Sequence, residues 1–289
     1  MSSGLTNPSS HSGFPTSLGD LTDLRRATYR LCALVFLRWA APCGSGSGPN
    51  GDVLQATAAL SRAWAESNIG VDFLIRDHLE RLESAYEREC RTEAHSTGPP
   101  VDASPLSNNR RVVDPARLCE AGWVAGNPTD AGGVIRDLEM RYRLAGASLT
   151  NPALPPDHIA VELEFMAYLC DKVRHKLETD LPAQSCLNED ARNEASKAEL
   201  LKSMFEQQKS FLKTHLLNWL PSLCGYLDSV SRGSSAAAAG RLAWIIAMHD
   251  IDLFDALEEE PSRQTDPGHN SSGVMKWTTL KWGMIFTSM

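Results

Sequence analysis

Ile159, Leu163, Met166, Cys170, Val173 and Leu177 recur at steps of four, three, four, three and four. That spacing places six apolar side chains on one stripe of an α-helix, and no strand pattern of period two can accommodate it. The same rhythm runs through most of the chain. Leu21, Leu24, Thr28, Leu31 and Val35 form a first stripe that ends before Pro42. Leu54, Leu60 and Trp64 mark a second helix, and Val71, Leu74, Ile75, Leu79, Leu82 and Tyr86 a third that runs to about Cys90. Further helices are expected at Val134–Gly146, around Leu201–Trp219 and at Ala236–Leu257, with Pro221 kinking or restarting the long one. The expected fold class is therefore all-α: a two-part bundle of about 8–10 helices.

The parts are separated by punctuation. Residues 1–20 are rich in Ser, Gly and Pro and read as disordered, and Gly44–Gly48 reads as a flexible loop. Between Thr92 and Asp130 prolines interrupt the pattern repeatedly, leaving a long loop with a short helix near Pro115–Ala121. Asn151–Pro156 is a stiff connector, because residues before proline are pushed out of helical geometry. The expected organisation is an N-terminal part over 21–147, a hinge at 148–156, a C-terminal part over 157–260 and a tail at 261–289. Asp157, just after the connector, reads as the N-cap of the helix that follows.

Several function classes are excluded at this level. The 28 Lys and Arg against 36 Asp and Glu leave a net charge of −8, which argues against nucleic acid and against an anionic membrane surface. The longest apolar runs, Leu31–Leu37 and Leu242–Met248, are seven residues, far short of the roughly 20 a membrane span needs. The N-terminus has neither the basic start nor the apolar stretch of a secretory signal, so the expected location is the cytoplasm. Seven widely spaced cysteines without a C-x-x-C pair point to packing rather than to disulfides or zinc. No H-E-x-x-H, E-x-x-H, Walker loop or G-x-S-x-G elbow is present, so no catalysis, no metal and no cofactor are expected.

Three features carry chemistry. Pro155-Pro156-Asp157-His158 is either a plain helix start or a polar contact point for a guanidinium or backbone group of a bound peptide. Glu162 falls on the apolar arc of its helix, where a carboxylate needs a partner; it is either a structural ion pair or an acidic anchor for an arginine. Phe211-Leu-x-x-His215-Leu-x-x-x-Trp219-x-Pro221 sets His215 and Trp219 on one face, where the simple reading is core filling.

The run Leu154-Pro-Pro-Asp-His-Ile-Ala-Val-Glu-Leu-Glu-Phe-Met-Ala-Tyr-Leu169 resembles the signature of the TorD/DmsD/NarJ family, and the Phe211–Pro221 segment resembles its second motif. Weaker echoes are Arg25-Arg-x-x-Tyr29-x-Leu31 and Leu79-x-x-Leu82-x-x-x-Tyr86-x-Arg88. The resemblance implies an all-helical cytoplasmic chaperone for the apo catalytic subunit of a dimethyl sulfoxide reductase-type molybdenum enzyme. It implies that the subunit, or its twin-arginine signal region, is held until molybdopterin is inserted. Asp157 and His158 match the pair implicated in signal-peptide recognition, and Glu162, Phe165 and Tyr86 join them as partner-binding residues, with His215, Trp219 and Pro221 in support. At most weak guanine-nucleotide binding is carried over, and the chain is expected as a monomer or a dimer. Two departures stand out: Glu89-Cys90 where members often have Leu-Phe, and a loose Pro99-Pro100-Val-Asp-Ala-Ser104 in place of Pro-Pro-Tyr-Glu-Ser. The rival reading is a helical adaptor or sensor unrelated to molybdenum enzymes.

Overall fold

The structure is a computed structural model that describes residues 17–40, 50–67, 72–95, 113–124, 128–149, 153–179 and 190–259. These residues form helices α1 (Leu18–Ala40), α2 (Asn50–Ser67), α3 (Asp72–His95), α4 (Ala121–Val124) and α5 (Pro128–Ala145). They continue with α6 (Ile159–Thr179), α7 (Asp190–Phe211), α8 (Leu217–Val230) and α9 (Ser235–Glu259). A 3₁₀ turn at Pro115–Leu118 precedes α4, a π-turn at Leu212–Leu216 joins α7 to α8, and no strand occurs among the described residues. The all-α expectation holds. The Gly44–Gly48 loop, Pro99–Ser104, Cys43, Cys186 and the tail at 261–289 lie outside the described residues.

Helix α3 runs on to His95, beyond the expected end near Cys90, and three other departures have a local reason. Helix α1 begins at Leu18, inside the segment expected to be disordered. Ser17 and Asp20 form a reciprocal cap: the Asp20 amide donates to Ser17 Oγ and the Ser17 amide to Asp20 Oδ2, both at 3.1 Å. Helix α5 begins at Pro128 rather than near Val134, since proline is at home in a first turn, where its missing N–H has no partner to lose. Pro221 neither breaks nor restarts the helix around it. The strain is taken up one turn earlier, where Leu217 N–H reaches back to the Leu212 carbonyl in the widened π-turn.

The helices enclose one core. Helix α1 packs against α6, α9 and α2, so elements from both sides of residues 148–156 share that core. Trp64, Trp219, Tyr29, Tyr86, Phe36, Phe211 and Phe254 are its largest buried apolar side chains. On α6 the stripe is buried as its spacing demands, from Ile159 through Val173. Each such side chain contributes about 1.5–3 kcal/mol by leaving water. No described helix is long and apolar enough to cross a membrane.

A polar knot sits within this core. Arg25 donates to both Asp250 oxygens (2.6 and 2.8 Å) and to Gln208 Oε1 (2.6 Å), and the Tyr29 hydroxyl donates to Asp250 Oδ2 (2.9 Å). It ties α1 to α7 and α9, and Arg25 and Asp250 are wholly buried.

Candidate functional site

The start of α6 is built from three directions. Helix α5 ends at Ala145 and is followed by Gly146, which adopts φ +79°, a conformation that favours glycine. Ala147 N–H then bonds the Tyr142 carbonyl (2.8 Å), and Tyr168 Oη and Lys172 Nζ of α6 both donate to the Ala145 carbonyl (3.0 and 2.9 Å). The end of α5 is thereby pinned to α6. Tyr142 Oη donates to the Pro156 carbonyl (2.8 Å), which fixes the connector at the point where it turns into α6.

Asp157 does not cap the helix it precedes. Its Oδ2 accepts from Ala121 N–H (3.1 Å) and its carbonyl from Glu120 N–H (2.9 Å), so it caps α4. The cap of α6 is His158: Nδ1 accepts from Ala160 N–H (3.2 Å), and the His158 carbonyl accepts from Val161 and Glu162 N–H. An isolated antiparallel bridge between His158 and Cys119 joins the two starts. Only an unprotonated Nδ1 can accept. Burial supplies that state by pushing the His158 pKa down to about 4.

Behind this cap lie three buried carboxylates, of Asp157, Glu162 and Glu120. Glu162 is wholly buried. Its Oε2 accepts from Trp219 Nε1 (3.3 Å), while Oε1 has no hydrogen-bond partner. Desolvation, followed by repulsion from Glu120, raises its pKa well above the ordinary value near 4.5, against the pull of Trp219. Glu120 meets His215, whose Nδ1 lies 2.8 Å from Glu120 Oε2 and whose Nε2 lies 2.8 Å from Asp137 Oδ2. Asp137 also accepts from Arg141 Nε (2.8 Å), and these partners together hold its carboxyl below the ordinary value despite partial burial. The π-turn contributes the ring of His215 to this bridge.

An aromatic row closes the cluster. Phe165 packs between Tyr142 (centroids 4.6 Å apart) and Phe211 (4.8 Å), and Phe211 leads on to His215 (5.2 Å). The structure thus brings together Asp157, His158, Glu162, Phe165, His215 and Trp219, all of them buried. Pro221 follows Trp219 within the first turns of α8. Tyr86 is not part of the cluster. It is buried on α3, where its hydroxyl accepts from Arg38 and its ring lies under that guanidinium. Glu89, where the family motif departs, caps α9 by accepting from the Ser235 amide (2.7 Å) and hydroxyl (2.6 Å).

Glu120 and Asp137 were not singled out from sequence. Glu120 lies in a proline-interrupted stretch with no periodicity to flag it. Asp137 sits at an ordinary polar position of an amphipathic helix.

The cluster lies beside exposed apolar side chains: Val124 on α4, and Met140 and Leu144 one turn apart on the outer face of α5, with Leu144 78% exposed. Helix α4 packs against α5.

Residues 132–225 match the family model described as nitrate reductase delta subunit. That region contains every member of the cluster except Glu120. The chaperone protein TorD of Vibrio cholerae serotype O1, strain El Tor Inaba N16961, is 26% identical over 106 residues, which is 37% of this chain and 40% of that protein. TorD of the Classical Ogawa 395 strain is 26% identical over 109 residues, again 37% and 40%. The chain therefore spans about two fifths of the length of these relatives. No solved structure matches it.

Proposed function

We propose that the chain, whose residues 132–225 match the nitrate reductase delta subunit model, is a non-catalytic, system-specific chaperone of the TorD/DmsD/NarJ type. Its client is the apo catalytic subunit of a dimethyl sulfoxide reductase-type molybdenum oxidoreductase, which it holds for molybdopterin insertion and assembly. The observation that supports this reading most directly is the meeting of the two motifs: Trp219 Nε1 donates to Glu162 across 57 positions of sequence. A helix start needs one cap and no more. Here an acid, an imidazole and an indole from distant segments converge on it.

In this reading Asp157 and His158 are positioning residues. Both are at least 96% buried, so they act on a client through what they hold. Asp157 holds residues 113–124, which carry Val124, while Tyr142 and His215 hold α5, which carries Met140 and Leu144. The client segment contributes apolar side chains to that surface, in the manner of a helix laid into a groove. An arginine-bearing segment, such as a twin-arginine signal region, suits a chain of net charge −8. The work is done in the cytoplasm, before any export of the client.

The test is recovery of the partner. The tagged full chain is purified from its native host grown without molybdenum, and bound proteins are identified by mass spectrometry. A molybdenum oxidoreductase catalytic subunit is expected, reduced at least tenfold with Met140→Glu plus Leu144→Glu at unchanged helix content. Recovery of other proteins but no such subunit overturns the reading in favour of an adaptor.

A further inference from the structure

We propose that the groove between α3, α8 and α9 binds an acidic peptide segment, at a site separate from the α6 cluster. The two faces of α8 divide the work. Tyr226 faces residues 113–124: its hydroxyl accepts from Asp114 N–H (2.9 Å) and its ring meets Trp123 (5.9 Å). Gly225, Asp228, Ser229 and Arg232 face the other way, into a cavity of about 770 Å³ closed on the far side by Leu74, Asp77, His78 and Arg81. A second cavity of about 480 Å³ continues it along α3 to Arg88, Gly233 and Ser234, sharing Asp77, His78, Arg81, Asp228 and Arg241 as walls.

Charge sets the ligand's sign. Four arginines line this groove in a chain whose net charge is −8. Its acids are largely spoken for: Asp77 pairs with Arg81 (2.8 Å) and Asp228 with Arg241, while Glu80 stands at the exposed rim. Arg232 has no carboxylate partner among the described residues, and Arg88 donates to the Gly233 carbonyl (3.0 Å). Both are exposed, so their guanidinium groups are open to a carboxylate from outside.

Length sets the ligand's kind. From Leu74 to Arg88 the α3 wall runs about 21 Å at 1.5 Å per residue, the span of about six extended residues. Arg81, 65% exposed beside Asp77 and so still open to a second carboxylate, lies about 10 Å from Arg88 along that wall, too far for one small oxyanion to bridge. Successive acidic side chains of one peptide reach both.

Gly225 points the same way. It lies inside α8 at ordinary helical φ, where glycine costs about 1 kcal/mol relative to alanine. A Cβ built there meets nothing within 4 Å. Neither backbone nor packing requires a glycine, whereas its absent side chain leaves the groove floor open. Ser84, Ala85, Ala237 and Ala238 keep the second cavity's floor low in the same way.

The test uses the full chain and a fluorescein-labelled hexaglutamate peptide, read by anisotropy at low ionic strength. Saturable binding is expected, weakened about tenfold or more by Arg88→Gln plus Arg232→Gln and separately by Gly225→Leu, with helix content unchanged. Arg136→Gln, an exposed arginine on α5, leaves it unaltered. Absence of binding overturns the proposal, as does binding that survives both groove variants. Displacement of the peptide by equimolar inorganic pyrophosphate also overturns it, in favour of a small-oxyanion site.

Discussion

Asp157 caps the helix that begins at Ala121, 36 positions earlier, and leaves its own helix to His158. The two residues of one dipeptide therefore hold two different elements, and their substitutions are expected to separate. Asp157→Ala costs about 0.5–2 kcal/mol and speeds amide exchange at residues 114–124, with the first turn of α6 unchanged. His158→Ala frays the first turn of α6 instead. Hydrogen-exchange mass spectrometry distinguishes these patterns, and fraying of α6 in the Asp157 variant would contradict the assignment.

Acid is expected to destabilise the protein through two histidines. Burial lowers the pKa of His158 and of His78 from 6.5 to about 4, with Arg81 adding to the effect at His78. A histidine with a lowered folded pKa contributes stability above its unfolded pKa and loses it as pH falls toward the folded one. The window is therefore pH 6.5 to 4, and each histidine contributes roughly 3 kcal/mol across it. His158→Asn keeps a capping side chain that does not titrate. Urea unfolding against pH should show a shallower acid loss in that variant by roughly half, and an unchanged slope would sink the argument.

Glu162 acts in the opposite direction. Its folded pKa is raised, first by desolvation and then by Glu120, so its stability contribution is complete below the unfolded value near 4.5 and declines as pH rises from there. Glu162→Gln keeps the shape and removes the titration. The variant is expected to match the wild type near pH 4 and to exceed it at pH 8, by about 1 kcal/mol or more. Equal differences between the two proteins at both pH values would show that the folded pKa of Glu162 is not raised.

His215 and Glu120 are expected to behave as one unit. Removing the imidazole strands a carboxylate that is 1% exposed, at a cost of about 3–5 kcal/mol. In a double-mutant cycle with His215→Gln and Glu120→Gln, the coupling energy should lie within about 0.5–3 kcal/mol. Additive effects would mean that the contact does not hold residues 113–124 to the π-turn.

The core knot offers a control remote from the cluster. Arg25→Ala leaves Asp250 wholly buried without its counterion and should cost about 3–5 kcal/mol. Arg25→Met with Asp250→Leu should recover much of that loss, because exchanging a buried pair for apolar groups is often neutral. Chemical denaturation of the three proteins checks both statements.

Much of this architecture was legible before folding. The 4-3-4-3-4 stripe of α6 is buried as read, and Glu162, lying on its apolar arc, is buried with it. The carboxylate and indole of the two motifs meet. Less legible were contacts between segments far apart in sequence. Arg25, seen only as half of an Arg-Arg pair, finds Asp250 at a separation of 225 positions. Tyr86 shares its helix's apolar stripe with Leu79 and Leu82, and this leads it into the core rather than to a binding surface.

By itself, the sequence determined most of the helices, their buried faces, the acidity of the chain and several of the residues that bear chemistry. These follow from backbone periodicity and side-chain type, which act within a few residues. The tertiary structure alone decided which helix Asp157 caps, that His215 bridges Glu120 and Asp137, and that the pKa of Glu162 is raised. Each of those depends on desolvation and on charges brought together from distant segments. Such interactions arise only when packing excludes water between them.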